Sequence, residues 1–411
     1  MFKRYAFLVF AISLVISMLL MSCSKAASTT TAATSAAKAT DSVKTILIGD
    51  IENLTGASSD QLKTVADGVD LAKDYINEKG GVTINGQKYL IEVILQDNKM
   101  SAESATAAAT SLIFDKKVNF IVGSLPTHIM KAIHTVTEAN KMIYATCWNT
   151  GTAEEYGPTT PYQFVTWDSS LEQMSTAFAY LKEKYPDVKT IASINVDDGQ
   201  LKEMDVHIQK FAVQYGYTIK DSIGWTLDTV DFTPTVQKAL AQNADAIMTG
   251  NGSNEMAGQV LRIARELGYT KPIMAWNQSP ARDILTIAGT SAGTNWFSHG
   301  MDENTPNKPG LSATISERAM AKYGKLDMLQ LDGFNCLYTL IQAVEAAQSL
   351  DSTAVKNAWE KMTTIDTVFG SGKIGGLETY GIAHSVYGPI PMQAMVDGKI
   401  VDLGFFETSC P

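Results

Sequence analysis

The stretch "DQLKTVADGVDLAKDYINEKGGVTINGQKYLIEVILQD" (residues 60–97) decides the fold class, because it joins a helical pattern to a strand pattern. Its first part repeats apolar residues at helical spacing and stops at Gly80 and Gly81, a glycine pair typical of a helix C-terminus. "YLIEVILQD" (89–97) then reads as a strand, and "TILIGD" (45–50) before the helix reads as another. The stretch therefore predicts strand, helix and strand in succession.

The same alternation continues along the chain. "VNFIVG" (118–123) precedes a helical pattern over 128–140, and a second series runs from Lys189 to "KPIMAW" (271–276). Alternation of this kind predicts parallel sheets with helices on both faces, and two series predict two such sheets. The length of 411 residues also suits two domains, because single cores stop growing at about 250–300 residues. We therefore expect an α/β fold of two doubly wound parallel-sheet lobes.

Composition and charge exclude several classes of partner and chemistry. The formal net charge of −10 argues against nucleic acid or an anionic membrane surface as the main partner, since both require basic patches. The four cysteines, Cys23, Cys147, Cys336 and Cys410, show no CxxC spacing. The sequence leaves open whether the last three are free or paired.

The N-terminus has the layout of a secretory signal. Lys3 and Arg4 precede an uncharged stretch over 5–21, and "LMSC" (20–23) resembles the bacterial lipobox. We expect a signal peptide over 1–22, lipidation at Cys23 and a flexible Ser/Thr/Ala linker over 23–43. Met21 is bulkier than the residue that usually occupies this position of the lipobox. We expect this to affect the efficiency of cleavage rather than cleavage itself. A plain signal peptide or an uncleaved anchor is the alternative.

The loops that follow the predicted strands are the candidate ligand site, because ligands of open α/β sheets bind beyond the carboxyl ends of the strands. These loops are rich in Gly, Ser, Thr, Asn and Trp. Each Ser or Thr alone is also explained as a helix cap. Trp148 and Trp276 are poorly explained by capping and are well suited to the wall of a ligand pocket.

The sequence shows no set of residues that assembles a catalytic or metal-binding site. H-E-x-x-H is absent, and the five histidines show no ligand spacing. The patterns G-x-S-x-G and G-x-G-x-x-G each match once, over 289–293 and 370–375, and we assign no catalytic or nucleotide-binding role to either. "GSGKIGG" (370–376) lacks the upstream glycine and the Ser or Thr of a phosphate loop, and we interpret it as a turn. We therefore expect no enzymatic activity, no cofactor and no metal.

The lipobox, the linker and the two α/β series together resemble an ABC-importer solute-binding lipoprotein. The order of motifs is similar to that of the leucine/isoleucine/valine-binding family. The resemblance covers nearly all of the mature chain, and its most specific part is the helix ending in "INEKGGV" followed by "GQKYLIEVILQD". Further stretches that carry it are "NFIVGSLPTH", "KMIYATCWNTG", "LRIARELGYTKPIMAW" and "GPIPMQAMVDGKIV".

The resemblance implies the periplasmic binding protein type I fold, in which the chain crosses three times between the lobes through a hinge. Here the crossings would fall near Thr166, Gly300 and Pro389. Lobe 1 would then comprise 44–166 and 300–388, and lobe 2 would comprise 167–299 and 389–411.

The resemblance also implies site residues. In that family a hydroxyl side chain and backbone groups of two neighbouring lobe-1 loops hold the ligand's carboxylate. Thr127 takes the hydroxyl place, with Ser124 in the same loop, while Thr146 and Trp148 fall on the residues that offer main-chain groups. The acid that holds the ligand's amine in the family is replaced here, because the matching lobe-2 loop has Asn277 and Gln278.

This replacement bears on the ligand. An ammonium buried without a carboxylate is left uncompensated, so we expect the ligand not to be an ordinary α-amino acid unless Asp50, Asp168 or Asp197 supplies the charge. A neutral amide at position 277 or 278 suits a hydroxyl, carbonyl or amide on the ligand. The side chains that would grip a flat or aromatic molecule are Trp148, Trp276, Trp167 and Phe334.

We therefore expect an extracytoplasmic solute-binding component of an ABC importer, held at the membrane by its N-terminal lipid. It would close on a small organic solute by hinge motion and deliver it to the permease and ATPase subunits, with no role for nucleic acid. One alternative is a sensor that reports a ligand to a signalling partner, although the sequence predicts neither a fused transmembrane helix nor a signalling domain. An enzyme on the same scaffold is the other alternative.

Overall fold

The computed structural model describes residues 43–56, 58–148, 153, 157–167, 169–197, 201–226, 228–250 and 252–410, with the side chains of 201–203 and 277 left out. The predicted signal peptide, the lipidation site Cys23, the linker as far as residue 42 and Asp168 lie outside the described residues. In the part that is described, no helix combines the length and the hydropathy needed to cross a membrane.

Strands and helices alternate along the described chain. The strands are β1 (Lys44–Glu52), β2 (Val82–Ile84), β3 (Gln87–Asp97), β4 (Phe120–Val122), β5 (Tyr144–Thr146), β6 (Gln163–Val165), β7 (Thr190–Val196), β8 (Thr218–Trp225), β9 (Ala246–Gly250), β10 (Ile273–Gln278), β11 (Trp296–His299), β12 (Thr364–Thr367), β13 (Gly370–Gly375), β14 (Ser385–Tyr387), β15 (Ile390–Val396) and β16 (Lys399–Phe406). The α-helices are α1 (Ser59–Leu62), α2 (Thr64–Glu78), α3 (Ala102–Ser111), α4 (Thr127–Ala139), α5 (Ser170–Lys184), α6 (Leu201–Tyr215), α7 (Thr233–Ala241), α8 (Asn254–Glu266), α9 (Ala281–Ala288), α10 (Ser312–Tyr323), α11 (Met328–Ala347), α12 (Ser352–Trp359) and α13 (Leu377–Tyr380). A π-helical turn over Leu112–Lys116 and a 3-10 turn over Thr290–Ala292 complete the helical elements of the described residues.

The strands form two sheets, which with the helices packed on them make two lobes. Lobe 1 contains the sheet β12-β13-β14-β6-β5-β4-β1-β3-β2, and lobe 2 contains β16-β15-β11-β10-β9-β7-β8. The central pairs of both sheets are parallel, and antiparallel pairs occur toward the sheet edges, such as β2 with β3 and β15 with β16. The predicted α/β fold with two parallel-dominated sheets is confirmed. The chain passes between the sheets three times, between β6 and β7, between β11 and β12 and between β14 and β15.

The stretch over 60–97 forms the predicted units with one interruption. β1 pairs in parallel with β3 from Lys44 opposite Tyr89 to Glu52 opposite Asp97. The helix, however, is divided at Lys63 into the short α1 and the longer α2. α1 precedes the helix that covers the sheet, and it contributes Gln61 and Leu62 to the cleft described below.

The interpretation of 370–376 as a turn is wrong. Residues 370–375 form β13, which pairs antiparallel with both β12 and β14. Two of its three glycines serve close packing, since a Cβ on Gly375 would lie 2.1 Å from the Cys410 carbonyl oxygen and one on Gly372 would lie 2.8 Å from Thr367 Cγ2. Glycine clusters are common in turns, but here they mark a crowded strand.

Candidate functional site

A cleft of about 460 Å³ opens between the two lobes. Its walls contain residues that end or follow β4 and β5 in lobe 1 and β8, β9 and β10 in lobe 2. These are the carboxyl ends of parallel strands, where open α/β sheets bind their ligands. The cleft is therefore the candidate functional site.

The lobe-1 wall is built from loops after neighbouring strands and from α1. Trp148 follows β5, while Leu125 and Pro126 follow β4 and lead into α4. β4 and β5 are paired in parallel, so their loops emerge side by side. Leu62 of α1 adds a further apolar side chain to this wall.

The lobe-2 wall is also aromatic and apolar. Trp225 ends β8 and packs edge-on against Phe232, with the ring centroids 5.2 Å apart and the planes at 72°. Met256 of α8 lies in the same wall, and a Cβ on Gly252 would be 2.1 Å from Met256 Cε. The Ser253 hydroxyl accepts a hydrogen bond from the Met256 backbone N–H at 3.2 Å, so this serine caps α8.

A hydrogen bond crosses the cleft between the lobes. Gln278, at the end of β10, donates from Nε2 to Oδ1 of Asp332 on α11 over 3.1 Å. Asp332 is fully buried and lines the cleft. Sequence reasoning missed Asp332 because it lies on a helix far along the chain from the strand-end loops; its only signal is a lone acid within the apolar run "MLQLDGF".

Gln173 of α5 is a second cleft residue that sequence reasoning missed. Its side chain is fully buried, and neither its amide oxygen nor its amide nitrogen has a hydrogen-bond partner among the described residues. Trp225 Nε1 and Gln278 Oε1 also lack partners within that part of the chain. Buried polar atoms in proteins are nearly always paired with a protein group, a water molecule or a ligand, so these three side chains are candidates to bind a polar group in the cleft.

A family model for periplasmic binding proteins matches residues 45–387. The chain belongs to the periplasmic binding protein family. The resemblance to the leucine/isoleucine/valine-binding proteins is confirmed by relatives such as the Leu/Ile/Val-binding protein BraC3 of Rhizobium johnstonii, which is 24% identical over 87% of this chain and 93% of its own length. A Leu/Ile/Val-binding protein homologue of Brucella melitensis is also 24% identical, over 87% of this chain and 93% of its own.

Solved structures share the periplasmic binding protein fold. The branched-chain amino acid transporter substrate-binding protein LivJ of Streptococcus pneumoniae, in complex with isoleucine, superposes with a TM-score of 0.71 at 19% identity, over 89% of this chain and 100% of its own. A solute-binding protein of an ABC transporter from Rhodopseudomonas palustris, in complex with 3,4-dihydroxybenzoic acid, superposes with a TM-score of 0.70 at 19% identity, over 89% and 99% of the two chains.

The predicted lobe-1 contacts of this periplasmic binding protein lie close to the cleft but are largely enclosed. Thr127 is the first residue of α4 and is 2% exposed, next to the cleft residues Leu125 and Pro126. Ser124 is fully buried and accepts a hydrogen bond from Asn98 Nδ2 at 2.9 Å. The Thr146 hydroxyl donates to the Phe164 carbonyl at 3.2 Å, and the Thr146 carbonyl accepts from the Thr166 backbone N–H at 2.9 Å.

The predicted lobe-2 residues divide between the cleft and the core. Gln278 lines the cleft, as Trp148 does on the opposite side. Trp276 is fully buried in the lobe-2 core, where a Cβ on Gly250 would lie 1.7 Å from its Nε1. Asp197 is exposed, and its backbone N–H donates to the carbonyl of the cleft residue Trp225 at 2.7 Å. The side chain of Asn277 lies outside the described residues.

The other two predicted aromatics lie in the lobe-1 core. Trp167 is fully buried against Phe369, with ring centroids 5.0 Å apart, and Phe334 is fully buried against Tyr75, with centroids 5.8 Å apart. The structure thus brings Trp148 and Gln278 together at the cleft. It does not bring Trp167, Trp276 or Phe334 to its wall.

Two acids of β1 are buried beneath lobe-1 loops. Asp50 and Glu52 are 1% and 0% exposed, and a Cβ on Gly123 would lie 2.3 Å from Glu52 Oε1 and 3.1 Å from Asp50 Oδ1. Burial raises the pKa of Asp50 to about 7, against a smaller opposing effect of its hydrogen bond with Glu52. Burial, and then the charge of Asp50, raise the pKa of Glu52 as well. Asp50 therefore lies inside lobe 1 as a carboxyl group that holds its proton more tightly than in water.

The raised pKa of Asp50 predicts that the free energy of unfolding depends on pH. Its folded-state pKa of about 7 exceeds the ordinary value of 3.8, so between these values the folded chain keeps a proton that the unfolded chain has released. Stability therefore falls as pH rises through this window and levels off above it. Relative to Asp50→Asn, the wild type is expected to lose about 2 kcal/mol of unfolding free energy between pH 5 and pH 7, measured by urea denaturation. If the unfolding free energies of the two proteins changed with pH in parallel, the raised pKa of Asp50 would be contradicted.

The three described cysteines are free thiols. Cys147, Cys336 and Cys410 are all buried. Cys147 and Cys336 lie in hydrogen-bonding contact, and this contact together with burial raises the pKa of Cys147 well above its ordinary value. A thiol with a raised pKa and no exposure is a weak nucleophile. Among the described residues, no group of three or more His, Cys, Asp or Glu side chains is arranged to hold a metal ion.

Proposed function

We propose that this protein is the extracytoplasmic solute-binding component of an ABC importer. The observation that carries the proposal is the cleft between two α/β lobes, lined by Trp148 from one lobe and Trp225 from the other and crossed by the Gln278–Asp332 hydrogen bond. A cleft shared by two lobes captures a solute when the lobes close. Relatives described as Leu/Ile/Val-binding proteins and transporter solute-binding proteins support this role.

The solute we propose is a small organic molecule with an apolar or aromatic body. Trp148, Trp225, Phe232 and Met256 supply flat or flexible apolar surface to the cleft. Structural neighbours bind isoleucine or 3,4-dihydroxybenzoic acid, so this fold accommodates both aliphatic and aromatic solutes. No catalytic role is part of the proposal.

A hinge between the lobes is part of the proposed mechanism. We propose that the chain crosses between lobes near Thr166, Gly300 and Pro389 and that these positions bend when the cleft closes. The Thr166 hydroxyl donates to the Thr146 carbonyl at 2.8 Å, which fastens the first crossing to β5 in lobe 1.

A thermal-shift screen tests the proposed function. The purified protein is heated with amino acids, aromatic and aliphatic acids, amides and urea, and a ligand of the native state raises Tm because it binds the folded form only. At least one compound of this panel is expected to raise Tm in a concentration-dependent way. A panel without any shift would contradict a solute-binding role for these classes, and a shift with leucine or valine alone would contradict the argument from Asn277 and Gln278.

Membrane attachment is proposed through lipid on Cys23, with the linker over 23–43 giving the lobes reach toward a permease. Cys23→Ala is expected to move the protein from the membrane fraction to the soluble extracytoplasmic fraction or to block processing. Fractionation and intact-mass measurement distinguish these forms. Cys410→Ala, which removes a cysteine at the far end of the chain, is the control. An unchanged mass and location of Cys23→Ala would contradict lipidation.

A further inference from the structure

The side chain of Gln173 is held at the cleft by the first turn of α5. Ser169 caps this helix, its backbone N–H donating to Glu172 Oε2 at 2.5 Å, and the Gln173 backbone N–H donates to the Ser169 carbonyl at 3.2 Å. The capping box fixes the direction in which the first turn presents its side chains. Gln173 therefore borders the cleft from a rigid element of lobe 2.

Both polar atoms of the Gln173 side-chain amide need a hydrogen-bond partner. It is 0% exposed, and both its donor and its acceptor lack partners within the described chain. Leaving a buried donor or acceptor unpaired costs about 1–3 kcal/mol each. The partner that satisfies both at once must offer a donor and an acceptor side by side.

Ligand classes differ in how they meet this requirement. A carboxylate alone offers only acceptors and would face the Gln173 carbonyl oxygen with negative charge, while an ammonium alone offers only donors. An α-amino acid carries both groups, but it brings two full charges that must be desolvated against a neutral amide. A carboxamide or a urea offers N–H beside C=O and can pair with both ends of the glutamine amide. Trp225 Nε1 and Gln278 Oε1, which also lack partners among the described residues, add one more donor and one more acceptor.

The charge of the cleft disfavours anionic ligands. Two carboxylates, Glu255 and Asp332, line it, and its described lining residues include no lysine or arginine. An anionic ligand would be repelled at close range without a counter-charge from these side chains. A neutral amide avoids that cost.

We propose that the cleft selects neutral carboxamides and ureas with an apolar or aromatic body, and that Gln173 is the residue that determines this preference. The proposal rests on the proposed solute-binding function and narrows its substrate class. The ligand's planar amide pairs with the Gln173 amide, and its body packs between Trp148 and Trp225.

Calorimetric titration of the full-length protein in detergent tests the preference with two matched pairs, benzamide against benzoate and nicotinamide against nicotinate. Each amide is expected to bind at least about tenfold more tightly than its acid, the loss that follows from leaving a buried polar partner unmet. Gln173→Met, similar in size but unable to pair, is expected to weaken benzamide binding at least about tenfold. The same variant is expected to raise the Tm of the unliganded protein, because the unpaired amide is gone.

Gln214→Met is the matched control. Gln214 is exposed on α6 and does not line the cleft, so its replacement is expected to leave benzamide binding unchanged. The proposal would be overturned by any of three results. The acids bind as tightly as the amides or more tightly, the amides do not bind, or Gln173→Met binds benzamide with wild-type affinity. If the acids or an amino acid still bind, the proposed function stands without this inference; if nothing in either screen binds, both fall.

Discussion

Gly333→Ala is expected to lower the free energy of unfolding by about 3 kcal/mol, because it forces α11 away from α2. A Cβ on Gly333 would lie 2.0 Å from the Val65 carbonyl oxygen, and one on Gly68 would lie 2.0 Å from the Gln330 carbonyl oxygen. At each of these two points a glycine of one helix therefore packs directly against the backbone of the other. Alanine is the better helix former by about 1 kcal/mol, but the clash is larger and decides the sign. Urea denaturation measures the difference.

Gly86→Ala separates this steric effect from an effect of the backbone. Gly86 lies in the β2–β3 turn with φ of +79°, and a Cβ there would have nothing within 4 Å. Its replacement is expected to cost only the strain of a left-handed backbone, about 1 kcal/mol. If Gly333→Ala were no more destabilising than Gly86→Ala, the close α2–α11 contact would be refuted.

Trp148→Ala is expected to reduce affinity for the solute identified in the thermal-shift screen by about thirtyfold or more. Truncation of a central aromatic side chain in a binding site commonly costs about 2 kcal/mol or more, and Trp148 is the large aromatic of the lobe-1 wall. Thr127→Ala is expected to weaken binding less, because its side chain is 2% exposed beside the wall. Equilibrium titration of the variants measures both effects.

Phe114→Ala is the control for the tryptophan variant. Phe114 is an aromatic residue that is 56% exposed, lies in the π-helical turn after α3 and is absent from the cleft wall. Its removal is expected to leave affinity unchanged. Wild-type affinity in both Trp148→Ala and Thr127→Ala would contradict the assignment of this part of the cleft as the binding site.

The fold was predictable because its signals are local. The apolar run over 45–50 and the helical period over 60–81 reflect burial on a sheet and on one helix face, and both elements appear near the predicted bounds. The division of that helix at Lys63 was not predicted, since the apolar period runs through it without a glycine or proline. The strand over Gly370–Gly375 was missed because its glycines are required by Cys410 and Thr367, neighbours that the local sequence does not reveal.

The site was less predictable because it depends on side-chain direction and on distant elements. Trp276 and Gln278 are two apart on β10, yet one lies in the core and the other at the cleft. The pairing of β10 with β11 shifts register between Met274 and Gln278, which breaks the strict alternation of faces along the strand. Gln173 and Asp332 reach the cleft from helices, so a search restricted to strand-end loops passes over them.

Hydrogen–deuterium exchange with and without the solute identified in the screen tests the central claim that solute is captured between the two lobes. We expect added protection in both walls at once, in the lobe-1 segments around Leu125 and Trp148 and in the lobe-2 segments around Trp225 and Met256. Closure of the lobes on one ligand requires this paired response. Protection confined to one lobe, or located away from these segments, would contradict the account.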